Sequence, residues 1–428
     1  MLLHKLDACP LASLDLLGST LSREQQAKDT AMPTDLLTRL RRETPACETL
    51  LHFNNAGAAL MPDPVFSVMT GYLEAERTMG GYEAEAALAP QLDRFYTGFA
   101  GLLGVQAAEI AYAESATRAW DSVFYALPWA EGDEVIIHAS DYGSNTLSVM
   151  QMQARRGIVI RECPSDGSGQ IDVGALDAMI SARTRLISLS HVPTQGGMVN
   201  PAGQVGRIAR AHGVLFLLDA CQSLGQIDVR VPDIGCDFLS GTGRKFLRGP
   251  RGTGVLYVGA HVLDRLDPPF IDGHSAKVAG TGFEWEPGAR RFEAFEQNFA
   301  GKAALARAVD YAMEIGLPVL EARIAALAAE LRAALADVPG VTVRDQGTRK
   351  AGIVTFTVEG LPSGSIVAGL KAQGINVSLS YARWAPTDFA ARGLPEMVRA
   401  SVHAYNSGDE VARFVSAVAR LQATGVLG

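Results

Sequence analysis

An aspartate and a lysine, each following a short β-rich run, are the residues of this chain best placed to do chemistry. The run Val214-Leu215-Phe216-Leu217-Leu218 ends at Asp219, and Phe238-Leu239-Ser240-Gly241-Thr242-Gly243-Arg244 leads to Lys245. A carboxylate closing a buried strand is desolvated unless a cation or donors meet it, so it points to a ligand, a metal or a helix cap. A protonated pyridine nitrogen is one such cation, and an ionised partner keeps that ring protonated and able to absorb electrons. An amine desolvated beside a cation such as Arg244 loses basicity and becomes nucleophilic enough to form an imine. A loop lysine is ordinarily a surface lysine. Here the pattern is joint: an acid closes one strand, an amine closes the next, and a hydroxyl-bearing helix start follows an earlier one.

Those residues need a frame that gathers strand ends. From about residue 108 short β-rich runs alternate with segments of helical period, which predicts a mostly parallel sheet with helices on both faces. The runs are Ala108–Ser115, Glu134–Ser140, Ile158–Pro164, Arg185–Val192, Val214–Ala220, Asp237–Gly241 and Gly252–Gly259, separated by helices such as Thr117–Leu127, Tyr142–Arg155, Val173–Ala182 and Pro201–His212. Ligands of such sheets collect beyond the carboxyl ends of the strands. Ser115-Ala116-Thr117 opens a helix there and offers a phosphate its amides, a hydroxyl and the positive end of a dipole, although Ser or Thr is also the default cap. Tyr142 follows the second run and either stacks on a flat ring or simply packs. The polar loop His191–Gly197, with Thr194 inside it, is either a hydrogen-bonding wall or a turn.

With 428 residues, 48% apolar and 20% charged, the chain can bury a large core and is expected to divide. The expected parts are an N-terminal segment 1–50 packing with the small domain, a large domain 51–301, and a smaller α+β domain 302–428. In the last, Lys302–Ala336 reads as two helices broken at Gly316-Leu317-Pro318, followed by strands at Val341–Arg344 and Gly352–Val358 and helices at Ser365–Gln373 and Asp409–Ala423. Polar residues from Ser19 to Thr34 read as a loose leader. A net charge of −8 without a basic stripe favours small-molecule partners over nucleic acid. Five cysteines without a CxxC pair or metal-ligand spacing suggest no metal and a reduced, cytoplasmic setting. His4, Lys5, Asp7 and Asp15 interrupt the N-terminus, so neither a secretory signal nor a membrane span is expected there. The glycines around Lys245 lack phosphate-loop spacing, and no GxGxxG opens a helix after an early strand.

The stretches LLDACQSLGQIDV, SGTGRKFLRGPRGTGVLYV and LPEMVRASVHAYNSGDEV together resemble class V aminotransferases. These are fold type I pyridoxal-5′-phosphate (PLP) enzymes, among them cysteine desulfurases, selenocysteine lyases and isopenicillin epimerase-like proteins. The resemblance runs from about Phe53 to Val418 and implies an α/β fold: a large domain with a mostly parallel seven-stranded sheet and a smaller α+β C-terminal domain. It implies that Lys245 carries PLP as an imine, that Asp219 meets the pyridinium nitrogen and that Gln222 meets the phenolic oxygen. It also implies phosphate contacts from Ala116, Thr117 and Ser240, and sets Tyr142 where desulfurases have a stacking histidine, with Thr194 beside the cofactor. Arg399 takes the role of the carboxylate clamp, and FNNAGAALMPDPV sets Asn54, Asn55 and Ala56 nearest the amino acid. Gly80-Gly81-Tyr82 resembles a subgroup that includes sulfoxide C–S lyases, which makes Tyr82 a substrate-side candidate, as is Arg383 in the loop SLSYARWAPTDFAARG. A homodimer with shared active sites is implied too, with Arg291–Gly301 reaching the partner's cofactor.

The reaction so implied begins when the amine of an L-amino acid or derivative displaces Lys245 from its imine and the freed lysine takes the α-proton. β-Elimination of the C–S lyase type or transamination follows, with epimerisation or racemisation as the alternative. A non-catalytic scaffold is disfavoured by the retention of both Asp219 and Lys245. Four departures from the family pattern stand out. No cysteine follows Cys236, so the persulfide-forming nucleophile of desulfurases is missing; Tyr142 replaces a histidine; Arg244 precedes the lysine; and Glu296 stands where relatives have a phosphate-binding threonine.

Overall fold

The computed structural model describes residues 34–424, so the expected leader lies outside the described residues up to residue 33. Seven strands form the central sheet: β1 (Ile110–Ala113), β2 (Glu134–His138), β3 (Val159–Cys163), β4 (Thr184–Ser190), β5 (Leu215–Asp219), β6 (Phe238–Thr242) and β7 (Gly254–Val258). Their order is β1-β7-β6-β5-β4-β2-β3. β7 runs antiparallel to both β1 and β6, and the remaining neighbours pair in parallel. Helices cover both faces, which is why β5 and β7 read as unbroken apolar runs rather than alternating ones. Every residue of both strands is buried.

Helices follow the strands in the expected places: α1 (Ala116–Ala126), α2 (Gly143–Arg156), α3 (Val173–Met179) and α4 (Ala202–His212). Local chemistry sets their ends. The Asp172 side chain caps α3 by accepting from the Gly174 and Ala175 amides, and Gly157 closes α2 in the left-handed region at φ 69°. The long helical stretch breaks at Gly316, as its Gly-Leu-Pro sequence predicts, into α5 (Phe299–Ile315) and α6 (Leu317–Ala336).

Beyond them a second, four-stranded antiparallel sheet is built from β8 (Val341–Val343), β9 (Ile353–Val358), β10 (Ser378–Tyr381) and β11 (Glu396–Ser401), in the order β8-β9-β11-β10. The early strand Leu51–His52 pairs in parallel with Ile375–Asn376, and the Ser401 amide donates to Phe53 O at 2.7 Å. The Ser401 bond stitches the loop starting at Asn54 to the second sheet. Among the described residues no helix is long and apolar enough to cross a membrane.

Candidate active site

The carboxyl end of β5 holds Asp219, which is 7% exposed. One carboxylate oxygen accepts from the Asn145 side-chain amide at 2.9 Å, and the other accepts from the Cys221 backbone N–H at 2.9 Å. Burial pushes this carboxyl above its ordinary value, against the pull of those two donors and of Lys245. A further cation is what such a group lacks.

Lys245 sits in the turn after β6, which is pinned by the Gly243 amide on Thr253 O at 3.0 Å and the Arg248 amide on Lys245 O at 2.9 Å. Burial holds the amine below its ordinary value; Arg244 and Arg399 push the same way, while Cys221 and Asp219 oppose them. Asp219 and Lys245 line one cavity together with Ser115, Ala116, Thr117, Tyr142, Thr194 and Gln222. The sequence-derived cofactor set is thereby assembled around a single space, with one exception.

That exception is Ser240. It lies opposite Asp219 in the β5–β6 ladder, fully buried, with a hydroxyl that has no partner, and it does not line the cavity. Thr242, two residues on and so on the same strand face, does line it, and its hydroxyl makes only a long bond of 3.3 Å to Thr253 O. Thr242 therefore joins Ser240 as a hydroxyl at this strand end.

At the same end of the cavity, the Ser115 hydroxyl accepts from the Arg118 amide at 3.2 Å and so starts α1. A Cβ at Gly254 would stand 2.7 Å from Gly241 O and 2.9 Å from the Ser115 carbonyl carbon. Glycine is needed there for β7 to run against the helix start.

A second cavity adjoins the first and shares Tyr142, Thr194, Arg244 and Lys245 with it; its other walls include Ala56, Gly57, Ser380, Tyr381, Trp384 and Arg399. Arg399 projects from β11 and donates to Ser378 Oγ at 3.0 Å, Thr194 O at 2.9 Å and Thr194 Oγ1 at 2.8 Å. Burial and then Arg244 pull it down to about 10. The Gln222 amide ties the two cavities together, donating to Ala56 O at 3.1 Å and to Thr194 Oγ1 at 3.0 Å. Trp384 stacks on Tyr142 with ring centroids 6.1 Å apart and closes one side.

Not every substrate-side candidate joins them. Asn55 is fully buried and committed to Ser401 O at 2.7 Å and to the Tyr405 hydroxyl, so it holds the loop rather than facing the cavity. Asn54 bridges to Ser401 through its backbone, and its buried side-chain oxygen has no partner. Arg383 lies over the rings of Tyr381 and Trp384, 4.9 Å from each, outside the lining itself. Tyr82 is 74% exposed on the helix Gly81–Ala87 and takes no part in either cavity of this chain.

The residues present suit PLP. A buried acid in want of a cation matches the ring nitrogen, and Gln222 lines the same cavity. A helix start with Thr242 beside it matches a phosphate, and a desolvated amine matches the aldehyde.

The chain is similar to several known proteins. A probable cysteine desulfurase of Methanothermobacter thermautotrophicus is 28% identical over 87% of this chain and 94% of its own length. One from Xylella fastidiosa is 29% identical over 90% and 95%. Among solved structures, the apo cysteine desulfurase of Thermococcus onnurineus superposes with a TM-score of 0.85 at 26% identity, covering 92% of this chain and 99% of that one. The cystine C–S lyase C-DES, at 23% identity and a TM-score of 0.80 over 88% of this chain and 99% of its own, shares the fold. The family model of aminotransferase class-V matches residues 51–414. This chain belongs to the class V aminotransferases, a family of PLP-dependent enzymes.

Proposed function

We propose that this chain holds PLP on Lys245 and catalyses C–S β-elimination on an L-amino acid or derivative. The observation that carries the reading is that Lys245 and Asp219 wall one cavity, while Lys245 and Arg399 wall the next. The cofactor supplies an aldehyde that condenses with amines and a protonated ring that absorbs electrons.

Asp219, steadied by Asn145, keeps the ring nitrogen protonated, and Gln222 serves the ring oxygen. Ala116, Thr117 and Thr242, with Ser240 behind them, would hold the phosphate, and Tyr142 would pack against the ring. Arg399, held flat by Thr194 and Ser378, presents its remaining edge to the substrate carboxylate. Lys245, already low in basicity, accepts the α-proton at Nζ.

Elimination without an enzyme persulfide is supported by the loop Tyr381–Arg392, which has no cysteine. Cys221 lines the first cavity, but burial pushes its thiol up and keeps it protonated beside Lys245. The leaving sulfur group thus departs directly. Transamination would share the same proton removal and differ only in where the proton returns.

The same reading assigns residues 51–301 to cofactor binding and 302–428 to a smaller domain, with 1–50 packing on the latter. Contact between Arg41 Nη1 and Glu410 Oε1 at 2.7 Å supports that packing. A cytoplasmic homodimer completes it, and the exposed apolar side chains Phe270, Phe283 and Phe295 support a two-fold interface near Arg291–Gly301. Incubation of the PLP-loaded protein with a panel of amino acids, cysteine conjugates and sulfoxides tests the chemistry. Pyruvate is the expected product; accumulation of pyridoxamine phosphate instead would mean transamination, and inversion at Cα alone would mean racemisation.

A further inference from the structure

We infer that the substrate carries a second acidic group besides its α-carboxylate, and that Arg244 is the residue that selects it. The inference rests on the assignment of Arg399 to the α-carboxylate and goes beyond it.

The second cavity is walled by two guanidinium groups and an amine, Arg244, Arg399 and Lys245, and by no carboxylate. Among the described residues neither arginine makes an ion pair. Three aromatic residues, Tyr142, Tyr381 and Trp384, line the same space; Arg399 is buried there and Arg244 half-buried. Arg244 already depresses the pKa of Arg399. One α-carboxylate answers one guanidinium and leaves the other unanswered.

Arg244 has a direction as well as a charge. Its Nη1 donates to Gly57 O, in the loop that roofs the second cavity, and its own carbonyl accepts from the Ala59 amide at 2.9 Å. The guanidinium is therefore tied to the Gly57 loop, which lines the second cavity and not the first. Two further polar groups in that cavity are buried and unpartnered: the Ser380 hydroxyl, a ready donor, and the Gln195 side-chain oxygen. An anion on the substrate side chain would satisfy Ser380 and Arg244 together, which an alkyl or neutral side chain leaves unmet.

The alternative use of Arg244 is on the cofactor phosphate, since it also lines the first cavity. Two near-isosteric pairs separate the uses in the PLP-loaded protein: S-carboxymethyl-L-cysteine against S-carbamoylmethyl-L-cysteine, and L-aspartate against L-asparagine. Their dissociation constants are read from the change each causes in the cofactor's visible spectrum. In the wild type the acid of at least one pair should bind tighter than its amide by roughly tenfold or more. In Arg244→Gln that preference should fall towards unity while PLP content and amide binding hold, and Arg244→Lys should restore part of it. Equal binding of acid and amide in both pairs overturns the inference, as does loss of PLP from Arg244→Gln with the preference intact. A wild type that shows no spectral response to any of the four compounds sinks the proposed function as well.

Discussion

The side-chain amide of Asn145 donates to Asp219 at 2.9 Å, so a residue in the first turn of α2 fixes the carboxylate that ends β5. With the Cys221 amide on the other oxygen, Asp219 is held in one orientation before any ligand arrives. Asn145→Ala should therefore weaken cofactor retention about tenfold, the equivalent of about 1.4 kcal/mol, without unfolding the sheet. Equilibrium dialysis against PLP measures it. Unchanged retention would mean that the cavity walls alone orient the acid.

Arg399 is held by Thr194 and Ser378 from two elements, so its loss should leave the cofactor in place. Arg399→Ala is expected to raise KM for amino-acid substrates on the order of 100-fold, as expected for a buried charge pair with one partner removed. PLP content, read from absorbance, should stay near wild type. Equal loss of cofactor and substrate affinity would show that the arginine serves the cavity's structure instead.

Gly254 permits the close run of β7 past the start of α1. Gly254→Val should push the Ser115 turn outward and lower both Tm and PLP affinity, the latter recovering with excess cofactor. A variant with wild-type PLP affinity would remove the α1 start from the phosphate site.

Away from the site, Glu293 is wholly buried and accepts from the Tyr112 amide at 2.7 Å and the Tyr96 hydroxyl at 2.9 Å, with Lys302 at 3.4 Å. Burial alone would raise this carboxyl; His274, Lys302 and the two donors outweigh it and hold it at about 2. Its folded pKa is below its unfolded one, so its stabilisation is present above the ordinary carboxylate range and is lost as pH falls towards the folded value. Glu293→Gln should cost about 3 kcal/mol at neutral pH. In denaturant unfolding, the gap from wild type should narrow below about pH 4. A gap independent of pH would mean that Glu293 is already protonated in the fold.

Much of this architecture was legible because it depends on local sequence. The runs ending at Asp219 and Val258 are apolar because both sheet faces are covered, and Gly316-Leu317-Pro318 breaks a helix wherever it occurs. What stayed hidden depends on partners distant in the chain. Asn145 carries no local mark of its bond to Asp219, and the place of Thr242 beside Ser240 turns on where the strand meets the cavity. Asn55 shows the converse: its place in the FNNAGAAL loop suggested substrate contact, but Ser401 and Tyr405, far along the chain, had already engaged it. The antiparallel pairing of β10 with β11, which sets Ser378 beside Arg399, is likewise a long-range event. The hairpin Ala276–Ala279 with Gly282–Trp285 lies outside every run that the sequence marks as a strand.

The account turns on the Lys245 amine, and one measurement addresses it directly. Protein loaded with PLP, reduced with borohydride and digested should yield a single peptide carrying the reduced cofactor at Lys245. Lys245→Ala should lose both that label and the visible band while keeping its fold by circular dichroism. A label on another lysine, or a visible band that survives in Lys245→Ala, would contradict the site described here.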